Sequence, residues 1–513
     1  MQSTGDAADP AAGAERKAYR WLLAAMGAYL AGLLAYSQTL AYTGDEGFHF
    51  LTNQLMLEGK RPYLDFVYPQ ALLNNLWNVL WMSVFGESWR AVHAITAVMA
   101  AAAVFLMADF VFRRLAGALR WRLAAALSVI LIFGVNQLVV EYGTLGQAYG
   151  MCLFASAAAF RCALIAIEKR SAWMALVAGF FAGVAPASSL LTAAVPAVVV
   201  VWILLQSHAG NRWGKAVAAA IGGVIPFAPM IWLFTKGPFQ VWFNLVEYHV
   251  FYRRLYWSET TQHDLEVMTS WIDSGQALLL GLLALLGLAY IAKRSSWTLA
   301  WRREFYLCGW LSVGMMAELA FAHPTFARYF LLAVPFLAVL AAIGLFAATS
   351  RLLDSGRPVW PVLLLAFLSL LNLGKSLYER RDMFTWPEYE EIAQQVLKVT
   401  PKGSPIWADE QMYFMTHIRP LPGMEFGYSH KVKLPPEKMA LLHIISEAEE
   451  TRRVKAHVFA TAFACDSDDI SDMGLNQLYS HKKEMYDCTV FWGDPPAEGE
   501  AASESAKPSK KKP

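Results

Sequence analysis

Apolar runs of about 20 residues recur along most of the chain, separated by short polar segments. Each is long enough to cross a hydrocarbon core as a helix, about 30 Å thick. In lipid such runs must be helical, because the backbone finds no water to bond. The pattern predicts about eleven spans, at 21–42, 90–112, 122–140, 146–167, 172–186, 188–206, 216–235, 274–292, 304–321, 327–348 and 358–377. The fifth is short and meets the sixth through Pro186-Ala-Ser-Ser189, which fits a tight hairpin or a broken pair. In segment 71–86, Asn74 and Asn78 lie one helical turn apart against Leu73, Trp77, Leu80 and Trp81. That pattern predicts a helix lying along the membrane interface.

Beyond about residue 377 the pattern changes. Charges rise, and Pro and Gly punctuate the chain. Glu388 to Val399 reads as an amphipathic helix, and Pro401-Lys-Gly-Ser-Pro as a turn leading into a short strand at Ile406-Trp-Ala. Val458-Phe-Ala-Thr and Thr489-Val-Phe-Trp also read as strands. The expected organisation is a tail over 1–20, a transmembrane domain over 21–377 with long loops at 43–89 and 236–273, a small α/β domain over 378–495, and a disordered tail over 496–513, rich in Ala, Glu, Ser, Lys and Pro. The fold class is an all-α polytopic membrane protein carrying a small outer α/β domain.

Composition agrees. Of 513 residues 56% are apolar and 16% charged, against roughly 25% charged in soluble proteins. A net charge of +2 gives no reason to expect a nucleic-acid partner. Met1 to Ala18 is polar without an apolar h-region, so the first span is expected to remain as a helix, not a cleaved signal.

The distribution of charge sets the orientation. Arg16, Lys17, Arg20, Arg113, Arg114, Arg120, Arg122, Lys169, Arg170, Arg212, Lys215, Lys293, Arg294, Arg302, Arg303, Arg351 and Arg357 fall on one side, expected to be cytoplasmic. An odd number of spans places the C-terminal domain outside. Lys60, Arg61, Lys236, Arg253, Arg254 and Arg328 then lie on the cation-poor side, where an anionic group would need them. Cys152, Cys162 and Cys308 lie in apolar runs and read as small hydrophobes. Cys465 and Cys488 stand in the C-terminal domain, where an oxidising compartment would permit a disulfide. No internal repeat is visible, which speaks against repeat-built transporters.

The densest chemistry follows the first span, in Thr43-Gly-Asp-Glu46 and on through Lys60-Arg-Pro-Tyr-Leu-Asp65-Phe-Val-Tyr68-Pro-Gln70. Polar groups that dense beside hydrocarbon are costly unless they serve a function. A carboxylate at Asp45 or Glu46 suits a base that takes a hydroxyl proton. Sugar transfer on an outer face has no cytosolic sugar nucleotide to draw on, so its usual donor is a polyprenyl-phosphate sugar. The departing phosphate then needs cations or a metal.

Plainer roles exist for the same residues. Thr43 and Glu46 fit a helix capping box. His49 and Asn53 would face water at the interface, and Asp65 would steady the Pro-Tyr turn. Tyr63, Tyr68, Trp77 and Trp81 would be interfacial aromatics. His249 would be a structural histidine in an aromatic loop, four residues before Arg253 and Arg254. Glu318, near a helix end with His323 just beyond, should face a cavity or a partner. Glu141 and Tyr142 end the third span, and Asp109 should pair with Arg113 one turn on. There is no zinc signature, no P-loop and no GxGxxG after a strand.

The acidic pair after the first span, the segment Gly59-Lys-Arg-Pro-Tyr-Leu-Asp65-Phe-Val-Tyr-Pro, Asn244-Leu-Val-Glu-Tyr-His249 and Arg328-Tyr329 before Pro335 together resemble the GT-C superfamily of membrane glycosyltransferases. The nearest likeness is to the bacterial branch related to aminoarabinose transferases and protein O-mannosyltransferases (glycosyltransferase family 39-like), over roughly residues 20–377. The resemblance implies inverting transfer of a sugar from a polyprenyl phosphate to an acceptor lipid, glycan or protein at the bacterial plasma membrane. It implies Asp45 as the base, supported by Glu46, and Lys60, Arg61, Arg253, Arg254, Arg328 and Tyr329 as the phosphate-binding set. His49, Tyr63, Asp65, Tyr68, Gln70, His249, Glu318 and His323 are candidate substrate contacts. A divalent metal ion would fall to Glu46 and His249. The chain has Tyr68-Pro-Gln70 where the family pattern has Lys-Pro-Pro after the Tyr. The competing readings are a lipid or glycan transporter, which needs polar groups at mid-membrane, and a scaffold acting through its C-terminal domain.

Overall fold

The computed structural model describes residues 10–253, 260–293, 299–352 and 357–494. Arg254, Arg294 and the tail 496–513 lie outside the described residues. Helices occupy all of the predicted spans. Pro10–Thr39, Trp89–Arg114, Tyr149–Glu168, Gly275–Lys293, Leu299–Phe321 and Val359–Glu379 are continuous. Val334–Leu352 is preceded by the 3₁₀ segment Ala327–Ala333. Among the described residues, seven helices are long and apolar enough to cross a membrane, and Ala172–Ser188 and Leu190–Gln206 are shorter apolar helices. The protein is an all-α multi-pass membrane protein with a small C-terminal sheet.

The helical run is broken at three places. The third span runs Leu119–Val129, takes a π turn at Ile130–Gly134 and resumes at Gln137–Tyr142. The side chain of Tyr29 lies against Gly134, where an added Cβ would meet its ring at 2.9 Å. The fifth and sixth form a broken pair, Ala172–Ser188 and Ala194–Gln206, joined through Ser189 and the 3₁₀ turn Leu190–Thr192 just after Pro186. The seventh breaks at Ile225–Phe227, where Pro226 removes a backbone donor.

The described residues divide into two compact units. The first holds those up to Ala41, Gln70–Trp232 and Leu245–Met383; the second holds Tyr42–Pro69, Leu233–Asn244 and those from Phe384 onward. In the first unit, small residues let helices approach to backbone contact, as is common between membrane helices. A Cβ on Gly179 would stand 1.8 Å from the Ala219 carbonyl oxygen, and one on Gly344 would stand 1.9 Å from that of Leu283. Aromatic rings fill the core, with Phe110 edge-on to Phe160 at 4.9 Å and tilted on Phe305 at 5.0 Å. Asp109 accepts from Arg113 at 2.7 Å, as its spacing predicts, and also from Arg161 and Tyr19 at 2.9 Å each. The helix Leu73–Phe85 buries Asn74 and Asn78, whose amides both donate to the Gly146 carbonyl at 2.9 Å.

The second unit carries a four-stranded sheet. Its strands are β1 (Ile406–Trp407), β2 (Thr461–Ala464), β3 (His481–Met485) and β4 (Cys488–Trp492), in the order β1-β2-β4-β3. β1 and β2 are parallel; the other pairs are antiparallel. The segment expected to be a strand from Val458 begins its pairing only at Thr461. A disulfide joins Cys465 to Cys488, tying the end of β2 to the start of β4. The helix Trp386–Val399 opens on a capping box, in which Glu388 accepts from the Thr385 backbone at 2.8 Å. Its apolar face buries Trp386, Tyr389, Ile392, Ala393 and Val396.

Candidate functional site

The predicted site residues fall into both units. Asp45, Glu46, His49, Lys60, Arg61, Tyr63, Asp65 and Tyr68 belong to the second, and Gln70, His249, Arg253, Glu318, His323, Arg328 and Tyr329 to the first.

In the second unit the chain leaves the first helix at Thr39, makes the 3₁₀ turn Gly44–Glu46 and enters the helix Gly47–Leu57. The expected capping box does not form. Thr43 makes no side-chain cap bond, because the tight turn intervenes before the α-helix starts. Glu46 instead points inward, fully buried, and its Oε2 accepts from the Trp386 indole N–H at 3.1 Å. Asp45, beside it, is half-exposed. The Gln411 side-chain amide donates to the Gly44 carbonyl. The approach is close enough that a Cβ on Gly47 would meet the Gln411 backbone nitrogen at 2.6 Å.

His49 is buried, not turned to water. Its Nδ1 pairs with the Tyr68 hydroxyl at 2.7 Å, and the Tyr68 backbone N–H donates to Asn244 Oδ1 at 2.7 Å. Tyr63 and Tyr68 are 0% and 1% exposed, so they belong to the packed interior and not to an aromatic belt. Tyr63 adopts a left-handed backbone, φ 70°. Asp65 closes the turn, accepting from the Arg61 backbone N–H at 2.7 Å and from its guanidinium at 2.8 and 3.1 Å. That guanidinium holds the Asp65 carboxyl below its ordinary range. Arg61 is thereby occupied, while Lys60 stands exposed beside it.

Two further carboxyls in this unit escaped the sequence reading. Burial pushes Glu410 up to about 7, against a bond from the Gly427 backbone N–H at 2.6 Å, and the Asp45 charge adds to the rise. Burial likewise lifts Glu425 to about 7, opposed by Lys60. The acidic pair Asp409-Glu410 shortly after a strand could have signalled the first of them. Asp409 caps the helix Glu410–Thr416 and also receives the Tyr389 hydroxyl at 2.6–2.7 Å.

In the first unit the structure gathers two arginines on one aromatic ring. Arg328 lies over Phe326 with its guanidinium 4.8 Å from the centroid, and Arg253 lies over the same ring at 5.6 Å. Arg253 also donates to the Tyr329 hydroxyl at 2.7 Å. Both guanidinium groups are thus placed by the same ring. The loop carrying them is pinned from the helix Thr260–Asp273. Asp264 accepts from the Thr325 backbone N–H at 2.7 Å and pairs with His323 Nδ1, while His263 Nε2 meets the Thr325 carbonyl at 3.0 Å. His323 is thus engaged with Asp264. Glu318 caps the helix Ala194–Gln206, its two oxygens accepting from the Ala193 and Ala194 amides at 2.8 Å each. His249 sits in the π-helical stretch Phe243–Tyr252, edge-on to Tyr248 at 5.4 Å. Gln70 is half-buried ahead of the buried Ala71 and Leu72. Glu141 pairs with Arg380 at 2.9 Å and accepts from Ser376 at 2.8 Å.

Among the described residues no three His, Cys, Asp or Glu side chains are grouped to hold a metal ion.

No family's sequence profile matches the chain, and no curated relative matches it by sequence. Solved structures do. ArnT from Cupriavidus metallidurans bound to undecaprenyl phosphate superposes with a TM-score of 0.65 at 14% identity, over 92% of this chain and 97% of that one. The Archaeoglobus fulgidus oligosaccharyltransferase tethered to an acceptor peptide containing an NVT sequon has a TM-score of 0.53 at 12% identity, over 86% and 69%. AglB of the same organism, with an inhibitory peptide and a dolichol-phosphate, has a TM-score of 0.50 at 10% identity, over 93% and 74%. The chain shares the fold of these proteins.

Proposed function

We propose that the protein is a glycosyltransferase that moves a sugar from a polyprenyl-phosphate-linked donor to an acceptor at the outer face of a bacterial plasma membrane, with inversion. The observation that carries this reading is the shared architecture, over nearly the whole chain, with an ArnT bound to undecaprenyl phosphate. Asp45 is the general base. It stands half-exposed on a tight turn directly after the first crossing helix, where a carboxylate can meet both substrate and solvent.

In the proposed reaction the acceptor's nucleophilic oxygen or nitrogen gives its proton to the Asp45 carboxylate. It attacks the anomeric carbon from the face opposite the leaving group. The anomeric C–O bond breaks, and its electron pair leaves with the lipid phosphate. Arg253 and Arg328, with Tyr329, steady the charge gathering on that phosphate. Lys60, exposed in the first loop, meets charged parts of donor or acceptor. The Cys465–Cys488 disulfide supports placing the C-terminal domain in an oxidising compartment, outside the cytosol.

The test is Asp45→Asn, assayed by mass spectrometry of envelope glycans and lipids in cells lacking or carrying the gene. Loss of a general base typically costs about 10²- to 10⁴-fold in rate. The sugar-modified product is expected to vanish while the protein still reaches the membrane. Product at the wild-type level would end the proposal.

A further inference from the structure

The turn that carries Asp45 is held by bonds to side chains from a distant part of the sequence. Gln411 Nε2 donates to the Gly44 carbonyl, one residue before Asp45. Trp386 Nε1 donates to the Glu46 carboxylate at 3.1 Å, one residue after it. Both partners are anchored. Trp386 is 0% exposed and edge-on to Phe50 at 5.4 Å, Tyr42 at 5.7 Å and Phe414 at 6.1 Å. Gln411 is 3% exposed and sits in the first turn of the helix Glu410–Thr416, which Asp409 caps through the Met412 N–H at 2.9 Å.

From this geometry we infer that Gln411 and Trp386 are positioning residues for the proposed base, clamping its turn on both sides. The C-terminal domain is then a working part of the transferase, not an appended module. A 3₁₀ turn of three residues has little stability of its own. Without the clamps the backbone on either side of Asp45 has fewer fixed points, and the carboxylate samples several positions. Displacement of a reacting group by about 1 Å can cost roughly 100-fold in rate. The inference rests on the reading of Asp45 as base.

The experiment uses the full-length protein with Gln411→Met and Trp386→Phe, each of which removes the N–H donor and keeps most of the bulk. Four quantities are read: envelope product by mass spectrometry, undecaprenyl phosphate binding by titration of the purified protein, melting temperature, and hydrogen exchange over residues 44–49. The expected result is a fall in product of about 10- to 100-fold, unchanged affinity for undecaprenyl phosphate, melting within about 2 °C of wild type, and faster exchange at the turn. Tyr486→Phe, which removes the remote Tyr486–Glu391 bond of 2.7 Å in the same domain, is expected to leave product unchanged. Product within twofold of wild type in both clamp variants overturns the inference, as does a loss that follows melting temperature or lipid-phosphate affinity. Asp45→Asn run in parallel separates the two ideas. If it retains product, the base assignment fails; if it is inactive while the clamp variants are normal, only the clamp fails.

Discussion

Trp386 and Glu46 stand 340 positions apart in sequence, yet the indole N–H of one meets the buried carboxylate of the other at 3.1 Å. The contact ties the first loop to the start of the helix Trp386–Val399. The loop around Asp45 is therefore as much a product of the last quarter of the chain as of its own residues.

The tightest point of that arrangement is Gly47. A methyl group there would lie 2.3 Å from Gln411 Oε1 and 2.6 Å from the Gln411 backbone nitrogen. A side chain can move, but the backbone of a capped helix cannot do so cheaply. Gly47→Ala is expected to destabilise by about 1–3 kcal/mol and to lower product formation. Thermal melting together with the product assay measures both.

Glu410 and Glu425 are each raised by burial from their ordinary 4.5 to about 7. Unfolded, they lose their protons near the ordinary value; folded, they keep them until about neutral pH. Between these limits the folded state binds more protons, so stability falls as pH rises. Melting temperature is expected to decline from about pH 5 to pH 8. Glu410→Gln and Glu425→Gln should flatten that slope and melt higher than wild type at pH 8. A wild-type melting temperature that climbs over this range would contradict the account.

Asp264 pins the loop bearing Arg328 and Tyr329 through the Thr325 amide and His323. Asp264→Ala leaves a buried amide without its acceptor, a loss of about 1–3 kcal/mol. The arginines should then lose their fixed spacing on Phe326. Titration with undecaprenyl phosphate is expected to show affinity weakened by about tenfold, with Asp264→Asn intermediate because it still accepts from Thr325.

The disulfide closes a loop between residues 23 apart in sequence. Removing such a link typically costs about 2–4 kcal/mol. Paired Cys465→Ser and Cys488→Ser, or treatment with a reductant, should lower the unfolding midpoint of the C-terminal domain. Tryptophan fluorescence reports it, since Trp386, Trp407 and Trp492 all lie there.

The helical half of this fold is legible in the sequence because bilayer thickness forces long apolar runs, and their boundaries fall close to the observed helices. The Asp109–Arg113 pair is legible for a similar reason: helical spacing alone brings the two together. The strands near Ile406 and Thr489 also show in the pattern. What escapes local pattern is contact across great sequence distance. Nothing near Gln411 or Trp386 marks them as neighbours of the first loop. Tyr63 and Tyr68 resemble interfacial aromatics in sequence, but both are buried, and the Tyr68 backbone bonds Asn244, in a different segment. Glu318 reads as an intramembrane charge in search of a partner, and that partner is a helix start more than 120 residues upstream.

The order in which the polypeptide leaves the ribosome gives the two clamps a last significance. Residues 42–69 emerge early, whereas their supports at 386 and 411 are made only after the final crossing helix. A nascent or truncated chain ending before that point would hold the described membrane helices and a complete first loop, yet lack both of these bonds. Such fragments should be inserted but inert, so that competence is conferred only when translation is almost finished.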